Sequence, residues 1–188
     1  TTLMVADLHA DGRLRPLSRS DPGAGYQAGP ISPDGTRVVV YRLTDARFEL
    51  GIATFATGTV RWLGIVPDAP SATRTLQWRS PDELLAITLP AGALPYDVRA
   101  MRPQAASPAR WASAARGEAA VTVVGSGAYL NARPQASPKR LSRISARTGE
   151  AVTLAKGDFV DLELSASTRQ LAIVEAAEDI RLVAGRPV

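Results

Sequence analysis

The sequence contains no cysteine, a single histidine (His9) and only two lysines, Lys139 and Lys156. Without cysteine there are no disulfides, no thiolate nucleophile and no cysteine-ligated metal. With one histidine, any Ser-His-Asp triad would have to use His9, which reads as an exposed turn residue beside Asp11-Gly12, a pair that favours a tight hairpin turn between antiparallel strands. No Gly-x-Ser-x-Gly elbow occurs; Gly125-Ser126-Gly127 is a small-residue turn without the strand–elbow–helix context of a nucleophile. Glycine-rich phosphate loops followed by a helix are also missing. No apolar run approaches the ~18 residues of a membrane-spanning helix. Thr1 to Val5 shows no basic leader or cleavage pattern, and the chain starts without methionine inside an apolar strand, which reads as an excised or processed piece.

What is present is the composition of a packed chain with many turns. Hydrophobic residues make up 45%, charged residues 21%, and 15 glycines and 14 prolines are scattered throughout. The net charge of +4 comes from arginines spread along the chain, with no dense basic run. That spread disfavours nucleic-acid binding, which clusters positive charge and interleaves it with aromatics. The residues call for no cofactor.

The most regular stretch is Ile31 to Leu63. Ser32-Pro33-Asp34-Gly35 forms a turn, then strands are expected over Val38 to Leu43, Phe48 to Phe55 and Val60 to Leu63, with a Thr57-Gly58 turn before the last. Parts of this unit recur. Gly12, Gly58 and Gly149 each open a Gly-to-Leu segment ending at Leu17, Leu63 and Leu154. Ser32-Pro33-Asp34 is echoed by Ser80-Pro81-Asp82 and by Ser165-Ala166-Ser167. Ile31, Trp78 and Leu164 align as one inward position, each followed by a turn and an apolar strand: Val38 to Leu43, Leu84 to Leu89 and Leu171 to Glu175.

A period in the mid-forties with four short strands per unit is the pattern of a β-propeller blade, whose two faces need neighbours. The expected fold is therefore all-β: an incomplete β-propeller of roughly three blades of four-stranded antiparallel sheets, with a short helical insertion. Residues 1–20 would end one blade, 28–64 form a second, 74–156 form a third with an insertion at about 91–127, and 158–188 begin a fourth. A separate small β-sandwich is the competing architecture. The distance from Gly58 to Gly149 is twice the period, so either a whole blade or an insertion lies between them. The insertion is preferred because Ser107-Pro108, an alanine-rich run and Gly117 spell a short helix. Beyond it, Glu118 to Val124 reads as a strand and Asn131 to Lys139 as a polar loop.

Other conspicuous residues have ordinary explanations. Asp158, Asp161 and Glu163 read as rim positions, and Glu175, Glu178 and Asp179 as a polar turn. Trp62 and Trp78 are expected in the packing between blades, and Trp111 is expected to hold the helix against its blade. Arg110, Arg116 and Glu118, flanking Trp111 on the insertion, are the candidates for substrate contact, because an insertion into a regular repeat is where function is often added. Open blade faces at either end favour self-association.

The Ser32-to-Val40 stretch, the Ala56-Thr57-Gly58 turn and Leu76 to Ser80 ahead of Glu83-Leu84-Leu85 resemble propeller blades of prolyl-oligopeptidase-family serine peptidases. Within that family, the alanine-rich helix, Arg116 to Val121 and Gly125-Ser126-Gly127 are most similar to the lasso peptide isopeptidases. The resemblance implies a peptide substrate and a separate α/β-hydrolase domain carrying the serine triad, with the propeller gating or shaping access. No catalytic residue carries over, because this chain matches none of the triad motifs. A non-enzymatic propeller that binds a protein or peptide partner is the alternative.

Overall fold

The computed structural model describes residues 1–9, 11–45, 47–68, 74–99, 107–118, 138–165 and 167–176. The expectations for Gly125-Ser126-Gly127, Glu178 and Asp179 lie outside these residues, as does nearly all of the Glu118 to Val124 strand and the Asn131 to Lys139 loop.

The described chain is mostly β, in several small antiparallel sheets. A first hairpin joins β1 (Met4–Val5) to β2 (Arg15–Pro16). A four-stranded meander follows: β3 (Gly25–Ile31), β4 (Arg37–Leu43), β5 (Phe48–Thr54) and β6 (Val60–Trp62). The next sheet is centred on β9 (Glu83–Leu89), which pairs along one edge with both β7 (Val66–Pro67) and β8 (Leu76–Ser80). Its other edge takes β10 (Arg140–Ser145), which in turn pairs with β11 (Ala151–Lys156). A last hairpin joins β12 (Phe159–Leu164) to β13 (Leu171–Glu175). Because β9 and β10 are neighbours, everything between them is an excursion from one sheet. It contains a helical turn at 96–99 and the helix α1 (Ser107–Ala115).

The strand sequences explain how the layers stack. Side chains alternate between the two faces of a strand, so a strand buried on both faces reads as an unbroken apolar run. In β4, Val38 and Val40 pack with Leu3 and Leu17 of the first hairpin, whereas Val39 and Tyr41 join Leu76, Trp78 and Leu84 of the second sheet. In β9, Leu84 and Ala86 face the first sheet, while Ile87 joins Leu141, Phe159 and Leu162 toward the last hairpin. Four layers are therefore held by three apolar seams. At ~25 cal/mol per Å² of apolar surface removed from water, these seams are the dominant stabilising contribution.

Two turn types recur, the first with the same pair of backbone bonds. Gly58 donates its amide to Thr54 O at 2.9 Å, and Thr54 donates to Thr59 O at 3.0 Å. Gly149 and Ser145 do the same with Ser145 O and Glu150 O, at 2.8 and 2.9 Å. Gly58 and Gly149 both have positive φ, 67° and 81°. The second type begins at buried Ser32, whose hydroxyl accepts from the Arg37 amide at 2.9 Å and donates to Asp34 Oδ1 at 2.6 Å. Ser165 repeats it, with the Gln170 amide on its hydroxyl at 3.1 Å and Ser167 Oγ 3.1 Å away.

Several expectations need correction. Ile31 is 57% exposed. A register irregularity between Ala28 and Ile31 sets it opposite Val38 at the end of an outer strand, with no described layer over it. Ser80-Pro81-Asp82 is a tighter turn than Ser32-Pro33-Asp34, because Ser80 pairs directly with Glu83. The Asp11-Gly12 hairpin is also wider than a two-residue turn: Gly12 donates to Asp7 O at 3.0 Å, and pairing resumes only at Arg15. Trp111 is 75% exposed and does not anchor its helix.

Candidate functional site

The candidate residues on the insertion form a local cap. Gly117 (φ 73°) donates to Ala114 O and Glu118 donates to Ser113 O, at 2.9 and 3.0 Å, the paired bonds that close a helix on a left-handed glycine. Arg116 and Glu118 then meet as a two-point ion pair, with Nε–Oε1 at 3.2 Å and Nη2–Oε2 at 3.0 Å. Both side chains are well exposed, so the pair contributes little to stability. Arg110 lies on the same helix, and its side chain is outside the described residues.

The acidic residues near the last hairpin are used in joining layers. Lys139 Nζ lies 3.0 Å from Asp68 Oδ2 and 3.4 Å from Asp158 Oδ1, and donates to Phe159 O at 2.9 Å. Asp161 Oδ1 accepts the Arg74 amide at 2.8 Å, and Glu163 pairs with the Arg74 guanidinium. Among the described residues no cluster of His, Cys, Asp and Glu could hold a metal. His9 is exposed in its turn, its amide donating to Asp7 Oδ1 at 2.9 Å.

The two expected tryptophans in the packing have distinct tasks. Trp78 is buried and donates its indole N–H to Pro30 O at 3.0 Å, tying β8 to the end of β3. Trp62 lies over Gly51, where an added Cβ would come within 2.6 Å of the indole. The Arg42 guanidinium sits 4.1 Å from the Trp62 ring centroid and bonds Asp21 at 2.7 Å and Glu49 at 2.8 Å. This cross-strand cluster is satisfied within the protein and leaves no charge directed at a ligand.

A concave site lies instead between β3 and β8. It is a groove of about 660 Å³, with Tyr41, Leu43, Phe48, Leu76 and Val98 among its apolar walls. Tyr41 and Phe48 stack there with ring centroids 5.9 Å apart. Burial pushes the Tyr41 phenol up to about 12. The polar groups of the β8 wall are already engaged: Gln77 donates to Leu162 O at 3.1 Å and accepts from Leu164 N at 2.9 Å.

The opposite wall is the outer edge of β3, whose other edge pairs with β4. The Tyr26 amide points outward, to Thr1 Oγ1 at 2.6 Å, and Thr1 Oγ1 returns a 3.4 Å bond to Tyr26 O. Two residues on, strand alternation turns the N–H and C=O of Ala28 the same way, and Ala28 is exposed on the groove. An outer strand edge beside an apolar channel is the arrangement that accepts an extended peptide backbone.

The groove was not evident from the sequence. Gly25-Tyr26-Gln27-Ala28-Gly29-Pro30 has the glycine and proline content of a loop, and the apolar wall comes from three distant segments. Arg116 and Glu118, the two candidates with described side chains, are not among its lining residues. No protein-family model matches this chain, and no curated protein matches it.

Proposed function

We propose that the stacked layers are an arc of a β-propeller that holds an extended peptide in the groove between β3 and β8. The observation that carries this reading is the outward Tyr26 amide on the β3 edge, two residues from exposed Ala28 and beside the apolar wall of Tyr41 and Phe48. The peptide adds its backbone to the β3 edge and places an apolar side chain in the groove. The propeller reading rests on the repeated turns and on repeated contacts between layers. Arg15 reaches from the first hairpin to Phe55 O in the β5–β6 turn, and Arg61, the corresponding residue one layer on, donates to Arg147 O in the β10–β11 turn.

On this reading the arc belongs to a serine peptidase of the prolyl-oligopeptidase kind, most similar to the lasso peptide isopeptidases. It shapes access to an α/β-hydrolase domain that supplies the chemistry. Arg110, Arg116 and Glu118 would then contact substrate from the insertion, outside the groove itself. A non-enzymatic propeller that retains a protein or peptide partner is the second reading, in which the same groove is the binding site. Probing a randomised peptide array with the chain tests both, and selective capture of extended apolar peptides is expected. The parent reading frame separates them: a Gly-x-Ser-x-Gly elbow with a βα pattern beyond residue 188 supports the peptidase, and its absence leaves the binding module.

A further inference from the structure

Gln27 and Gln77 stand on β3 and β8, the strands that lead into β4 and β9, and each is turned toward the layer that follows. Gln77 lies opposite Leu85 and bonds the backbone of β12, donating to Leu162 O at 3.1 Å and accepting from the Leu164 amide at 2.9 Å. The Leu162 amide also donates to Arg74 O, just before β8, at 2.8 Å. A carbonyl and a carboxamide from one segment thus hold an extended strand and close that seam. Gln27 lies directly opposite Tyr41, so it shares the face that Tyr41 turns to Leu76 and Trp78 of the second sheet. It is exposed on the groove, and among the described residues nothing bonds its carboxamide.

The seam between β3 and β8 is open because no side chain fills the place of Gln77. Val39 corresponds to Leu85 in the aligned strands, and the β3 residue beside it is Gly29, where an added Cβ would come within 2.9 Å of Val39 Cγ1 and 3.0 Å of Tyr41 Cε2. Between β3 and β8 the described residues make a single hydrogen bond, from the Trp78 indole to Pro30 O. The gap lies between two full sheets rather than at an end of the stack. A carboxamide both donates and accepts, which matches a peptide backbone. We propose that Gln27 is a binding residue of the groove that grips the bound peptide as Gln77 grips β12: its nitrogen donates to one peptide carbonyl, and its oxygen accepts the N–H two residues on. This rests on the peptide reading above and narrows the substrate to peptides extended across Gln27 with a free N–H at the second of those residues, which excludes proline there.

The test takes one peptide captured from the array and its ester analogues, each with one backbone N–H replaced by oxygen. Fluorescence anisotropy gives their affinities for the parent chain, Gln27→Leu and Ala28→Pro, and circular dichroism checks the fold of each. In the parent chain one ester position is expected to cost about fivefold, because it loses its bond to Gln27. Gln27→Leu is expected to bind the amide peptide about tenfold more weakly, and to bind that ester no worse than the amide. A Gln27→Leu chain that binds like the parent while Ala28→Pro binds more weakly overturns the role of Gln27 and leaves the groove standing. A loss in Gln27→Leu that no ester position shares overturns the backbone grip. A peptide insensitive to both variants binds outside the groove and overturns both readings.

Discussion

Thr168 holds in the last hairpin the backbone position that Gly35 holds in the first full sheet. Their φ angles are 57° and 70°, and their amides donate to Ser165 O at 2.7 Å and Ser32 O at 2.8 Å. Thr168 is the only non-glycine residue with positive φ among the described residues. A β-branched side chain in the left-handed region costs about 1–2 kcal/mol. Thr168→Gly is therefore expected to stabilise the protein by about 1 kcal/mol, after the entropy cost of glycine is subtracted. Gly35→Ala is expected to destabilise by about 1 kcal/mol for the converse reason, since no neighbouring atom obstructs its Cβ. Urea unfolding of both variants checks the pair.

This equivalence also indicates how much of the fold could be read from the chain. Thr57-Gly58 is legible because a left-handed turn requires glycine, and the strands expected on either side of it, Phe48 to Phe55 and Val60 to Leu63, each run one residue past β5 and β6. Leu84 to Leu89 was legible because both faces of β9 are buried. β3 was hidden by its glycines and proline, which an outer strand tolerates, and β7 by being two residues long with Pro67 in it. Ile31 and Trp111 were misjudged because apolar character does not specify whether another layer arrives to cover it. The groove depends on residues brought together only by stacking, and no local pattern encodes it.

Lys139 is expected to act as a clamp between the second sheet and the last hairpin. Its ammonium is largely buried and lies 3.0 Å from Asp68, which is buried as well. Lys139→Met leaves that carboxylate uncompensated and should cost about 3 kcal/mol. Adding Asp68→Asn removes the stranded charge, so the double variant is expected to regain a substantial part of the loss. A double-mutant cycle from denaturant midpoints measures it, and additive losses would mean the two groups are not coupled.

Stability is expected to fall at both ends of the pH range. The Arg42 guanidinium, then the Tyr26 hydroxyl, hold the Asp21 carboxyl below its ordinary 3.8. The Ser32 hydroxyl, then the Thr36 amide, do the same for Asp34. For a depressed carboxyl the contribution is present above 3.8 and is lost as pH drops through the folded value. Tyr41 behaves in the opposite sense. Its phenol is raised from 10.0 to about 12, so its contribution is complete below pH 10 and is lost as pH climbs toward 12. Comparing urea midpoints of Asp34→Asn and Tyr41→Phe with the parent chain across pH checks both signs. The cost of Asp34→Asn should shrink in acid, and Tyr41→Phe should flatten the alkaline fall.

The peptide groove is tested most directly at Ala28. Proline there removes the outward N–H and places its ring toward an incoming strand, while an outer strand accepts proline where no ladder bond is lost. Ala28→Gly keeps the N–H and serves as the control. Binding of one array-selected peptide is measured by fluorescence anisotropy for the parent chain and both variants, with circular dichroism to confirm the fold. Ala28→Pro is expected to bind on the order of tenfold more weakly, with Ala28→Gly close to the parent. Equal affinity for the parent chain and a folded Ala28→Pro would contradict peptide addition along β3.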